Sequence, residues 1–184
     1  MRKLALVAAL ALVAGGAMAQ LTWCGDSYMT VNTGSGVTWY NGSATLQTVN
    51  FNGASWTITE GGQFNLGGEL QSWDSSGDSA KLNYKVNAGA FSGINLPFLT
   101  LVGANEEWQS IAGSNIGPGL PVGVNTLEVY FDTIDTDGAV TAYDSRGGPN
   151  YTATVTVNAI PEPSTMALIG LGVGGALLAI RRRK

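Results

Sequence analysis

Seven residues late in the chain, Tyr151-Thr152-Ala153-Thr154-Val155-Thr156-Val157, place threonine at every second position between apolar residues. A period of two sends one set of side chains into a core and the other into water, which describes a half-buried strand. Ala54-Ser55-Trp56-Thr57-Ile58-Thr59 repeats the pattern, with Trp56 and Ile58 on one face. In Lys81-Leu82-Asn83-Tyr84-Lys85-Val86-Asn87 the alternation turns Leu82, Tyr84 and Val86 inward and both lysines outward. Leu127-Glu128-Val129-Tyr130-Phe131 is more apolar and reads as a central strand. Further strands are expected near residues 28–32, 37–40, 44–51, 63–73 and 97–102.

Turn chemistry separates these runs. Clusters rich in Gly, Asn, Asp and Ser fall at 32–36, 41–42, 52–53, 61–62, 74–78, 113–119, 135–138 and 145–150. Such clusters supply the positive φ angles and side-chain-to-backbone bonds that reverse a chain. No window between the termini sustains a helical period. The expectation is an all-β fold, an antiparallel β-sandwich of jelly-roll or immunoglobulin-like type. An N-terminal signal helix and a C-terminal hydrophobic helix are expected to flank it.

The N-terminus reads as an export signal. Arg2 and Lys3 precede an apolar stretch, residues 4–13, and Ala17-Met18-Ala19 forms a small-residue cleavage site. Cleavage there starts the mature chain at Gln20. Cys24 does not suit a lipoprotein reading, because it lies beyond that site and follows the bulky Trp23.

The C-terminus has three parts. Ile160-Pro161-Glu162-Pro163-Ser164-Thr165 comes first, then an apolar run over 166–180, then Arg181, Arg182, Arg183 and Lys184. At about 1.5 Å per helical residue the run reaches about 22 Å, short of a hydrocarbon core about 30 Å thick. Gly170, Gly172, Gly174 and Gly175 lower its helix propensity further. The basic cluster is expected to stay cytoplasmic under the positive-inside rule. This order of motif, apolar segment and basic end resembles the PEP-CTERM sorting signal of bacterial envelope proteins. The resemblance implies processing near Pro161, Glu162 and Pro163 by an exosortase-like membrane enzyme, with the hydrophobic helix holding the chain in the membrane until then. The domain reading is therefore a signal peptide over 1–19, a sandwich over 20–158 and a sorting signal over 159–184. A tail-anchored protein that escapes processing is the alternative.

Setting the address segments aside changes the charge. Of nine basic residues, only Lys81, Lys85 and Arg146 lie between them, against all thirteen acidic residues, so 20–163 carries −10 although the whole chain carries −4. Such a body offers no basic stripe for phosphates, which excludes nucleic acid as an expected partner. Neutral partners such as extracellular polysaccharide, and divalent cations, stay open. With Cys24 as the single cysteine, no intrachain disulfide can form.

The chain has no histidine. That removes Ser-His-Asp and Cys-His nucleophile systems and His-ligated metals. Paired carboxylates can hydrolyse glycosides without histidine, and Glu69, Glu106, Glu107 and Glu128 are the acids to consider. Solvated strand acids account for them as well, and the expectation is no enzymatic activity. For a cation, Asp132, Asp135, Asp137 and Asp144 are the candidates. In an EF-hand register Asp135, Asp137, Gly138 and Asp144 take positions three, five, six and twelve, but position one is Thr133. A looser Ca²⁺ site on an inter-strand loop is conceivable; an acidic hairpin tip needs no metal, and no cofactor is expected.

Residues 50–158 also resemble a β-sandwich module of bacterial secreted and surface proteins. The resemblance rests on Gly67-Gly68-Glu69, Leu96-Pro97-Phe98, Glu107-Trp108-Gln109, Gly123–Phe131 and Gly148-Pro149-Asn150-Tyr151. It implies fold and location and transfers no catalytic residue. The sequence thus predicts an exported, non-enzymatic surface or matrix protein. Its alternative is a carbohydrate-binding module using exposed Trp or Tyr; a row of exposed coplanar rings on one sheet would favour that alternative.

Overall fold

The computed structural model describes residues 23–41, 49–73, 79–135, 140–145 and 149–162. Both expected terminal helices, and with them Ala17, Ala19, Gln20, Pro163 and the basic cluster Arg181 to Lys184, lie outside these residues. In chain order the strands are β1 (Trp23–Asn32), β2 (Thr38–Asn41), β3 (Val49–Asn50), β4 (Ser55–Thr59), β5 (Asn65–Trp73) and β6 (Ser79–Val86). They continue with β7 (Ser92–Leu96), β8 (Phe98–Val102), β9 (Asn105–Asn115), β10 (Gly123–Asp135), β11 (Val140–Asp144) and β12 (Tyr151–Asn158). Among the described residues no helix is long and apolar enough to cross a membrane.

Two six-stranded sheets form a β-sandwich. Sheet A has the order β3-β2-β1-β5-β9-β8; sheet B has the order β4-β12-β10-β6-β7, with β11 also on β10. The long β10 lies centrally: β6 runs along one edge, while β12 and β11 share the other, pairing with its first and second halves. The inward stripe of sheet B is Leu82, Leu127, Val129, Phe131, Val155 and Val157, each at most 1% exposed. It meets Met29, Val31, Leu66 and Leu70 of sheet A. Gly68 permits this approach: a Cβ there would stand 2.8 Å from Phe131 Cε1 and 2.7 Å from the Tyr28 carbonyl.

At one end of the sandwich an aromatic cluster replaces aliphatic packing. Trp56 lies 5.2 Å from Tyr40 and 5.3 Å from Phe64 between ring centroids, and its indole N–H donates to the Tyr40 hydroxyl at 3.0 Å. Edge-on rings with a satisfied N–H are the usual way to bury tryptophan. Trp108 sits within β9 at 6% exposure and donates to Ser72 Oγ at 3.1 Å. Trp39 and Tyr40, adjacent on β2, face opposite ways: Tyr40 is buried, and Trp39 is half-buried against Tyr28 on the outside of sheet A.

Some expectations differ from the structure. The sandwich is mixed, since β2–β3 and β4–β12 pair in parallel. Nearly the whole domain separates β4 from β12, which leaves room for the long crossover that such a parallel pair uses. β7, β9 and β11 carry no expected strand. In β9 the inward positions include Glu106 as well as Trp108, which hides the alternation. In β7 only Ile94 and Leu96 mark it. The apolar run of β8 forms an edge of sheet A, where all five residues are exposed.

Candidate ligand-binding face

β10 divides its side chains between the two faces of sheet B. Asn125, Leu127, Val129, Phe131, Thr133 and Asp135 are buried on the inner side, whereas Glu128, Tyr130 and Asp132 point outward. In the β6–β10 register Glu128 faces Lys85, Tyr130 faces Asn83 and Asp132 faces Lys81. Across the other edge Asp132 faces Tyr143 of β11. The outer face therefore gathers alternating polar and aromatic groups from three strands.

A row of rings crosses this face. Phe91, just ahead of β7, and Tyr130 reach over the intervening β6 to a centroid separation of 5.0 Å. Tyr130 and Tyr143 are 6.1 Å apart. Interplanar angles of 73° and 55° make this a contoured surface and not a flat shelf. Phe91 is 39% and Tyr143 60% exposed. Lys85 braces the Phe91 end, with its ammonium 4.7 Å above the ring and 2.8 Å from Glu128. Asn150 also donates to Glu128, at 2.7 Å. The Lys85 and Asn150 bonds hold the Glu128 carboxyl below its ordinary pKa.

Asp132 lies beneath the row at 9% exposure. Asn83 Nδ2 donates to its Oδ2 at 2.9 Å, while its buried Oδ1 has no hydrogen-bond partner. Burial raises the Asp132 pKa, and the Asn83 bond and the Lys81 charge only partly offset that. Burial also raises the Tyr130 pKa, with the neighbouring Asp132 charge adding to it. A carboxylate oxygen left without a donor in this setting costs about 1–3 kcal/mol and calls for an explanation.

The four aspartates considered for a cation are not brought together. Asp132 is on the outer face, whereas Asp135 and Asp144 are on the inner face, so the sheet separates them; Asp137 lies outside the described residues. Asp144 is instead a clasp between the sheets. It accepts hydrogen bonds from Ser27 Oγ of β1 and, at 2.6 Å, from the Tyr151 hydroxyl of β12. Among the described residues no three His, Cys, Asp or Glu side chains are grouped to hold a metal ion.

The acids considered for hydrolysis are dispersed as well. Glu106 is buried in the interior, where Ser72 Oγ donates to it at 3.4 Å. Its neighbour Glu107 faces the outside of sheet A with Glu69, to which Gln109 donates. Burial raises the Glu69 pKa, the Gln109 bond opposes this and the Glu107 charge adds to it. Glu128 belongs to the other sheet's outer face. Phe91, Tyr130 and Tyr143 went unmarked in the sequence because their proximity depends on strand order; Asn83 and Asp132 meet for the same reason.

Beyond this face, Pro161 and Glu162 are exposed where the described chain ends. They fall inside the segment 159–184, which matches the family model of the PEP-CTERM protein-sorting motif. No curated protein matches the chain. The match concerns the tail and leaves the sandwich unassigned. The protein carries a PEP-CTERM sorting motif at its C-terminus, the kind of signal that exosortase-type enzymes recognise in sorting exported proteins to the cell surface.

Proposed function

We propose that this is a non-enzymatic protein of the cell surface or extracellular matrix, associated with extracellular polysaccharide. The PEP-CTERM match over 159–184 carries the reading. The rest of the chain agrees with it: a body without histidine has no Ser-His-Asp or Cys-His system, and a charge of −10 does not suit polyanion binding. The signal peptide ends at Ala19, export follows, and an exosortase-like enzyme cuts near Pro161, Glu162 and Pro163. The test is the intact mass of the protein from membrane and extracellular fractions of its host, with and without the processing enzyme. A chain from Gln20 to about Pro163 in the first strain, and a longer membrane-held chain in the second, is the expected result. A chain that keeps Arg181 to Lys184 in both strains would make it a tail-anchored surface protein.

A carbohydrate-binding module is the second reading, favoured by the row Phe91, Tyr130 and Tyr143, whose two end rings are exposed. These rings are inclined and none is a tryptophan, so the row departs from the coplanar arrangement expected of a flat platform.

A further inference from the structure

From the ring row and the orphaned oxygen beneath it, we infer that the outer face of sheet B, at Tyr143, Tyr130, Phe91, Asp132 and Asn83, binds a neutral polysaccharide. The site deepens the carbohydrate-binding reading and rests on it. Exposed ring faces attract the C–H surfaces of sugars, and nearby carboxylate and carboxamide groups take up their hydroxyls. Tyr143 offers the freest ring, 60% exposed at the outer end of the row. It faces Asp132 directly in the β10–β11 register. Asp132 Oδ1, the oxygen that no protein donor reaches, is buried on this face, so a ligand hydroxyl reaches it by displacing the side chains above it.

The ligand class follows from that oxygen and from charge. Oδ1 needs a donor, and a sugar hydroxyl supplies one. Asn83 stays bonded to Oδ2 and fixes the carboxylate, so the acceptor is held in place before binding. A polyuronate or sulfated glycan would bring anions against a body of −10. Of the cations on this face, Lys85 is already engaged by Glu128 at 2.8 Å and Lys81 faces the Asp132 carboxylate. A neutral chain meets neither obstacle. The inclined rings fit a twisted chain, whose successive sugar faces also change direction, better than a flat crystalline surface.

Affinity electrophoresis of the full-length protein in detergent tests this, with hydroxyethyl cellulose, dextran and soluble starch as neutral probes and polygalacturonate as the anionic one. At least one neutral probe is expected to retard the protein, and polygalacturonate is not. Tyr143→Ala should weaken that retardation about tenfold, as loss of a principal stacking ring does, with an unchanged thermal midpoint. Asp132→Asn should weaken it less, and Glu69→Gln on the opposite sheet should not change it. Absence of retardation by every neutral probe, stronger retardation by polygalacturonate, or a Tyr143→Ala variant that binds like the wild type would overturn the site. Retardation that survives both Tyr143→Ala and Phe91→Ala would overturn this face while leaving a carbohydrate-binding module in place.

Discussion

Asp132 and Asp144 stand on adjacent strands of sheet B, on opposite faces. Asp144, on the inner side, has protein donors on both oxygens, Ser27 from one sheet and Tyr151 from the other. Asp132, on the outer side, has Asn83 on one oxygen and nothing on the second, although it is nine-tenths buried. A carboxylate satisfied by its own protein works as a clasp. One that remains half-satisfied lowers stability and keeps a directed acceptor available.

The contrast breaks most clearly at the clasp. Asp144→Ala strands the Ser27 hydroxyl and the Tyr151 hydroxyl, on residues 0% and 1% exposed, so a loss of about 3 kcal/mol in urea unfolding is expected. Tyr151→Phe removes one donor and keeps the ring, and about 1–2 kcal/mol should be lost. If Asp144→Ala unfolds with the wild-type midpoint, the two sheets are not held by this contact.

Asp132→Asn should behave differently, with stability at neutral pH unchanged or raised by up to about 1 kcal/mol, because a desolvated charge is removed. Its pH profile sharpens the point. Since the folded-state pKa of Asp132 is raised above 3.8, the native state takes up the proton first as pH falls. The wild type therefore gains stability from this group as pH drops through that folded value, and the gain levels off below the unfolded value. Asp132→Asn should lose that part of the gain; an unchanged profile in denaturant titrations would show that Asp132 is not desolvated. Glu69, whose pKa is also raised, acts in the same direction and persists in the variant.

Glu128 gives the smallest effect and the opposite sign. Its lowered pKa means its stabilisation is present above the unfolded value of 4.5 and is lost as pH falls through the folded one. The Lys85–Glu128 pair is partly solvated, with side chains 23% and 25% exposed, so Glu128→Gln should cost less than about 1 kcal/mol, and less still in high salt. Loss of the Lys85 brace should also loosen Phe91, readable as line broadening of its ring resonances.

Legibility followed the range of the interactions. β6 and β12 were readable because their alternation is complete within seven or eight residues: Leu82 and Tyr84 against the lysines, Val155 and Val157 against the threonines. β9 was not, because its inward Glu106 depends on Ser72 from another strand. The opposite orientations of Asp132 and Asp135 could be read from parity once β10 is taken as one strand. The orientation of Asp144 required the β10–β11 register. Phe91 lay in an apparent loop, and only the neighbourhood of β7, β6 and β10 brings it to Tyr130.

The sequence by itself determined the β class, the acidic histidine-free body and the sorting motif at 159–184, because strand periodicity, charge count and a linear address are local properties of the chain. Only the tertiary structure decided which aspartate became a clasp and which an open acceptor, and that three separate rings formed one row. Those outcomes depend on strand order and register, which are set by how two whole sheets close over a common core.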